Sequence, residues 1–257
     1  MARLPAGIRE KLRRAHLHSR DFDRRVQRFL DPKPYRLVPE DDPQTGECRW
    51  RVDLLRQPPL VRWSALAGDC LYDLRSALDQ LAYALAVAYT GDPLPRHIAD
   101  QSAFPLFRTK PKRVTTLNRK IVGMHPKAQT IIKELQPYKR PDKTRESNIR
   151  AALGYLDILC NRDKHRLPLV LSYRLGGLAW YGGSDPFTNI RYGTFEDGAV
   201  IAHGPIPTNP EMRVDPVVTL DIAFTEPGPT GIEASKCFAW FANSIERDVI
   251  PRFLPYL

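Results

Sequence analysis

Two polar clusters interrupt otherwise apolar segments, and both hold residue types that can move protons or bind anions. One is Asn161-Arg162-Asp163-Lys164-His165-Arg166, six consecutive polar residues. The other is Arg75 and Asp79, four residues apart within Leu74-Arg75-Ser76-Ala77-Leu78-Asp79-Gln80-Leu81. His165 is the group suited to acid–base work, because a free imidazole titrates near pH 6.5 or so, at about the working pH. Arg162, Lys164 and Arg166 supply charge-assisted donors for an anion. Asp163 should not be buried alone, since an unpaired carboxylate in apolar surroundings is strongly unfavourable. Arg75 is the partner expected for it. One reading takes Arg75, Asp79, Asn161, Asp163 and His165 as a single polar pocket between two helices. The other is structural: an Arg–Asp pair fixes packing register, and basic residues in a last turn complement the helix dipole.

The elements that must position these groups are legible as hydrophobic periods. Leu71, Leu74, Leu78, Leu81, Leu85 and Ala88 follow a 3-4-3-4-3 spacing and predict a helix over 64–89, with Ser64 as its N-cap. Ile149, Ala152, Leu153, Leu156, Leu159 and Cys160 predict a second over 146–165, and Asp163 continues that apolar face. Asn161 and His165 share a different face. Helices are also expected over 7–30, through Ile8, Leu12, Ala15, Phe22, Val26 and Phe29, over 127–136, and over 232–254. Residues 35–56 predict a β-hairpin around the turn cluster Asp41 to Gly46, with Cys48, Trp50, Val52 and Leu54 alternating. Residues 92–126 are expected to be mostly loop. Residues 167–225 predict antiparallel strands separated by Gly, Pro, Asp and Asn, with Gly176-Gly177 falling between two of them. Helices and strands are segregated rather than alternating, which predicts an α+β fold: one domain over 1–257, its helical core carrying an N-terminal hairpin and a C-terminal β section.

Charge narrows the partner. The 257-residue chain carries a net +10. Residues 1–30 hold nine basic and three acidic residues, and residues 108–150 hold thirteen and three. Two such segments suit an anionic partner, nucleic acid above all, with Lys110, Lys112, Arg113, Arg119, Lys120, Lys164 and Arg166 as the expected contacts. Solvated helix faces are the alternative. The four cysteines are scattered and form no CxxC pair, so neither a structural zinc site nor a disulfide framework is expected. His16 and His18 flank Leu17 and point to different sides of a helix, which does not suit a shared metal. No GxSxG, HExxH or Walker sequence is present. No run reaches the ~18 apolar residues of a membrane helix, and the N-terminus lacks an apolar signal core, so a cytoplasmic location is expected.

The runs Gly68 to Asp79 and Asp163-Lys164-His165-Arg166, with Phe104-Pro105-Leu106-Phe107 and Leu135-Gln136-Pro137-Tyr138 between them, resemble the signature segments of a widespread group of uncharacterised bacterial proteins. That resemblance brings no activity with it. The window Cys160 to His165 also resembles, more distantly, the motif of HEPN domains, helical bundles found in toxin and abortive-infection ribonucleases. Asn161 and His165 match that motif, while Cys160 stands where the family has its arginine. Arg162 and Arg75 are the arginines that could take its place in space. The resemblance implies metal-independent RNA cleavage, without a cofactor. The ribose hydroxyl would attack the adjacent phosphate, His165 would act as general acid or base, and an arginine would steady the phosphate charge. It also implies a homodimer. A degenerate bundle that binds RNA without cutting it fits the same residues.

Overall fold

A computed structural model describes residues 4–139, 144–165, 171–179, 187, 189–191, 194–206, 217–225 and 232–257. Its elements run in the order α1 (Ala6–Leu30), β1 (Tyr35–Asp42), β2 (Glu47–Leu54), α2 (Leu60–Thr90), α3 (Arg96–Ala99), α4 (Val114–Ile121), α5 (Pro126–Glu134), α6 (Arg145–His165), β3 (Leu171–Ala179), β4 (Thr194–Phe195), β5 (Val200–Pro205), β6 (Val217–Phe224) and α7 (Ala234–Asn243). The fold is α+β, with antiparallel strands in two small sheets. Among the described residues, no helix is long and apolar enough to cross a membrane.

The chain falls into two compact units, each assembled from separate stretches of sequence. The first comprises residues 1–20, 65–169 and 236–257, and the second 21–64 and 170–235.

The first unit is helical, and α2 supplies its central seam. Leu71, Leu74, Leu78, Leu81 and Leu85 are all completely buried, as the 3-4 spacing predicts. α6 buries Ile149, Ala152, Leu153, Leu156 and Leu159. The Cys160 thiol reaches the Leu71 carbonyl at 3.4 Å, so α6 lies against α2. α1 lies against α2 as well, and there the Cys70 thiol donates to the Ala15 carbonyl at 3.4 Å. α6 is capped by the Thr144 hydroxyl, which accepts the Ser147 N–H. α5 is capped by His125, whose Nδ1 accepts the Lys127 N–H, with Pro126 in the first helical position. Arg252 holds Glu146 at 2.6 Å and so ties the C-terminal turns to the start of α6.

The second unit holds the sheets. β1 and β2 form the expected hairpin, closed at Gly46, whose φ of +72° is open to glycine without strain. β5 then pairs antiparallel with β2, placing a strand of the C-terminal β section on the N-terminal hairpin. Cys48, Trp50 and Ala202 form the core of that sheet. β3 is flanked by β4 and β6.

The structure corrects several expectations. Ser64 does not cap α2. The helix begins one turn earlier at Leu60, after Pro58-Pro59, and the Ser64 hydroxyl donates to the Leu60 carbonyl inside the helix. Residues 92–126 are mostly without regular structure, as expected, but include two short helices, α3 and α4. Gly176-Gly177 does not separate strands but forms a bulge within β3, where a side chain at 176 would collide with the Asp221 carboxylate. The last helix is not uniform: α7 widens into a π turn at Ser244–Val249 and ends in 3₁₀ turns.

Candidate functional site

Arg75 and Asp79 sit four apart on α2, so their side chains meet on one face. The Arg75 Nη2 donates to Asp79 Oδ1 at 3.0 Å and to the Phe104 carbonyl at 2.6 Å, and Nε donates to Asp79 Oδ2 at 3.3 Å. Asp79 Oδ1 also accepts the Phe104 N–H at 3.0 Å. The pair therefore satisfies both backbone groups of Phe104, a fully buried residue in a stretch without regular structure. The Arg75 side chain is 15% exposed, and its Nη1 is buried with no acceptor among the described residues.

Gln136 does the same for the next residues. Fully buried, it accepts the Phe107 N–H at 3.1 Å and donates to the Pro105 and Ile132 carbonyls at 2.8 and 2.9 Å. The Tyr138 N–H then reaches the Phe107 carbonyl. Phe104–Phe107 is thus strapped to α2 by Arg75 and Asp79, and to the end of α5 by Gln136. Sequence reasoning assigned Gln136 no role. Its partners Pro105 and Phe107 lie some thirty residues away, so no local spacing points to it.

Asp163 does face α2, as the extended apolar stripe of α6 requires, but its neighbour there is Gly68. A Cβ at position 68 would lie 2.8 Å from both carboxylate oxygens, so the glycine makes room for Asp163. Gly68 precedes Arg75 by seven residues, about 10 Å along the helix, and Arg75 reaches the other way, toward Asp79. The expected Arg75–Asp163 pair is therefore not formed. Among the described residues, no cation lies within ion-pair distance of Asp163. Burial raises its carboxyl pKa above the ordinary range, and the nearby Asp69 charge raises it further. Asn161 is exposed, and Arg162 is half-buried and already interacts within the chain. The backbone of Lys164 and His165 completes α6, but their side chains, and all of Arg166, lie outside the described residues. Among the described residues, Arg75–Asp79 and Asp163 form two separate polar sites on α2 rather than one pocket.

Unlike Asp79 and Asp163, which are only partly buried, Asp73 is a fully buried carboxylate, and it was missed from sequence. Its side chain is 3% exposed and meets Lys11 Nζ at 2.7 Å, Arg14 Nε at 3.4 Å and His18 Nε2 at 3.6 Å. Lys11, Arg14 and His18 recur at helical spacing on α1, which was the available signal. His16 pairs instead with Glu246 at 2.6 Å. No group of His, Cys, Asp or Glu among the described residues is arranged to hold a metal. The four cysteines are free and buried, and burial pushes the Cys70 thiol pKa upward, away from nucleophilic use.

The basic segment is different in kind. Arg108, Lys110, Lys112, Arg113 and Arg119 are exposed and Lys120 is half-exposed. No carboxylate lies within 4.0 Å of any of them among the described residues. The sequence explains why: between Asp100 and Glu134 there is no acidic residue at all. Arg119 and Lys120 lie in the last turn of α4, and the others precede that helix.

No family model matches the chain, and no match was found among curated proteins or solved structures.

Proposed function

We propose that this chain binds nucleic acid, RNA first among the candidates, through the exposed cations of residues 108–120, and that Arg75, Asp79 and Gln136 serve to hold the start of that segment in place. The observation that carries the reading is a run of cations with no carboxylates of its own. Cations left unpaired repel one another and gain most from a polyanion, whose condensed counterions they release. Lys110, Lys112, Arg113, Arg119 and Lys120 are the contacts, and the strap through Phe104–Phe107 sets where Arg108 and Lys110 emerge. RNA is preferred over DNA on the distant HEPN resemblance of Cys160 to His165.

The test is fluorescence anisotropy with a labelled oligoribonucleotide at several salt concentrations. Replacing Lys110, Lys112, Arg113, Arg119 and Lys120 by glutamine together should weaken binding about 100-fold near physiological salt. It should also flatten the log–log salt slope by roughly 0.7 per lost contact on a single strand. Unchanged affinity in that variant would remove the reading. Cleavage is tested separately by incubating RNA with wild type and His165→Ala in chelator. RNA left intact by both supports binding alone. Products that vanish in the variant would replace binding with the ribonuclease reading.

A further inference from the structure

We propose a second anion site, a pocket for a dianionic phosphate monoester, formed within the second unit where the last turns of α1 meet the first turn of α2. It does not depend on the role given to residues 108–120. The pocket opens to solvent, measures about 170 Å³, and is lined by Arg25, Arg28, Arg56 and Arg62 over Phe29, Pro59 and Trp63.

The floor is rigid. Phe29 and Trp63 are buried and meet edge to face, with ring centroids 5.4 Å apart at 82°. The Arg56 guanidinium lies 4.7 Å from the Phe29 ring centroid. Stacking of this kind fixes a guanidinium while leaving its in-plane N–H donors unused. Arg28 and Arg62 are exposed, and no carboxylate lies within ion-pair distance of either, or of Arg56, among the described residues. Arg25 is already held by Asp21 at 2.8 Å. Three guanidiniums without a carboxylate partner among the described residues thus surround one small cavity. The first turn of α2 adds to this field. It carries no acidic residue, and its helix dipole presents a positive end.

The geometry selects the ligand class. Guanidinium forks match phosphate oxygens two at a time, and three of them exceed what a singly charged diester requires. The two aromatic rings are too buried to stack a base, so they offer apolar edges to the carbon of the ester. The phosphate could belong to a small molecule or to an RNA end, and the two are separable by experiment.

The full chain is titrated with inorganic phosphate, with adenosine monophosphate, and with two matched oligoribonucleotides, one ending in a phosphate and one in a hydroxyl. Wild type should bind phosphate-bearing probes, and the phosphorylated oligonucleotide at least tenfold more tightly than its hydroxyl match. Arg28→Gln and Arg62→Gln should each weaken that binding about tenfold, while Arg96→Gln, at an exposed arginine that does not line the pocket, should change nothing. A response to inorganic phosphate and adenosine monophosphate assigns a small ligand. A response confined to the phosphorylated oligonucleotide assigns an RNA end. Because the replaced side chains are exposed, thermal melts should be unaltered. The proposal is overturned if no phosphate probe binds wild type, or if binding survives both substitutions in variants that melt normally.

Discussion

Residues 9–25 and residues 108–120 are comparably rich in arginine and lysine, yet their cations have different fates. On α1, Arg13 pairs with Glu10, Lys11 and Arg14 converge on Asp73, and Arg24 and Arg25 share Asp21. Those charges are matched inside the protein, and the contacts of Lys11 and Arg14 with Asp73 tie α1 to α2. Over 108–120, no described cation has a carboxylate within reach. A positive count alone does not separate these cases. The positions of the acids do, on the same helix or on the one packed against it. Lys11, Arg13 and Arg14 each have a carboxylate at hand and so have less to gain from an anionic partner than the cations of residues 108–120.

The largest effect should come from breaking the matched set. Lys11→Met with Arg14→Met removes both close cations from a buried carboxylate and leaves Asp73 with His18 alone. Stability should fall by about 3–5 kcal/mol, read from urea melts. The equivalent double change Lys110→Met with Lys112→Met should alter stability by less than about 0.5 kcal/mol, since both side chains are exposed and unpaired. Equal losses in the two variants would erase the contrast.

Next in size is the strap that delivers the unmatched segment. Asp79→Ala strips the Phe104 N–H of its acceptor and leaves the Arg75 guanidinium without its carboxylate. A loss of about 2–3 kcal/mol is expected. Because the strap sets where Arg108 and Lys110 leave the core, RNA affinity measured on folded protein should fall as well. A stability loss with affinity unchanged would confine Asp79 to packing.

A smaller effect separates the roles cleanly. Arg113→Gln alone should weaken RNA binding about two- to fivefold with no change in melting, and Arg13→Gln should leave binding unaltered. Each exposed phosphate contact contributes a salt-dependent increment of this kind, whereas Arg13 already faces Glu10 on the helix surface.

Much of this was legible in the sequence where the signal is local. The leucine seam of α2, the α6 stripe, the hairpin and the Arg75–Asp79 pair all follow from spacings within a few residues. What failed was non-local. Nothing near residue 50 indicates that β5, some 150 residues later, completes its sheet. The apolar stripe of α6 correctly turned Asp163 toward α2. A stripe, however, carries no information about axial register, and register decided between Gly68 and Arg75. Ser64 looked like a cap because its residue type suits one, yet the paired prolines start the helix a turn earlier. Asp73 and Gln136 were passed over because each makes sense only once a partner segment is in place.

Asp163 gives the finest test, because matched and unmatched carboxylates predict opposite signs. Had Arg75 neutralised it, Asp163→Asn would destabilise the fold by several kcal/mol. With Gly68 and the Asp69 charge as its surroundings, its pKa is raised from the ordinary 3.8. The folded chain then holds the proton more readily than the unfolded chain, so stability falls as pH climbs from the ordinary value through the raised one. Asp163→Asn removes that penalty. The variant should match wild type at pH values below the ordinary carboxylate range and be more stable at neutral pH. The gain should stay under about 1 kcal/mol, because much of the carboxylate remains in contact with solvent. Denaturant melts at both ends of that range decide the matter. A variant less stable than wild type at neutral pH would mean that a cation does reach Asp163, and would move it to the same side of the comparison as Asp73.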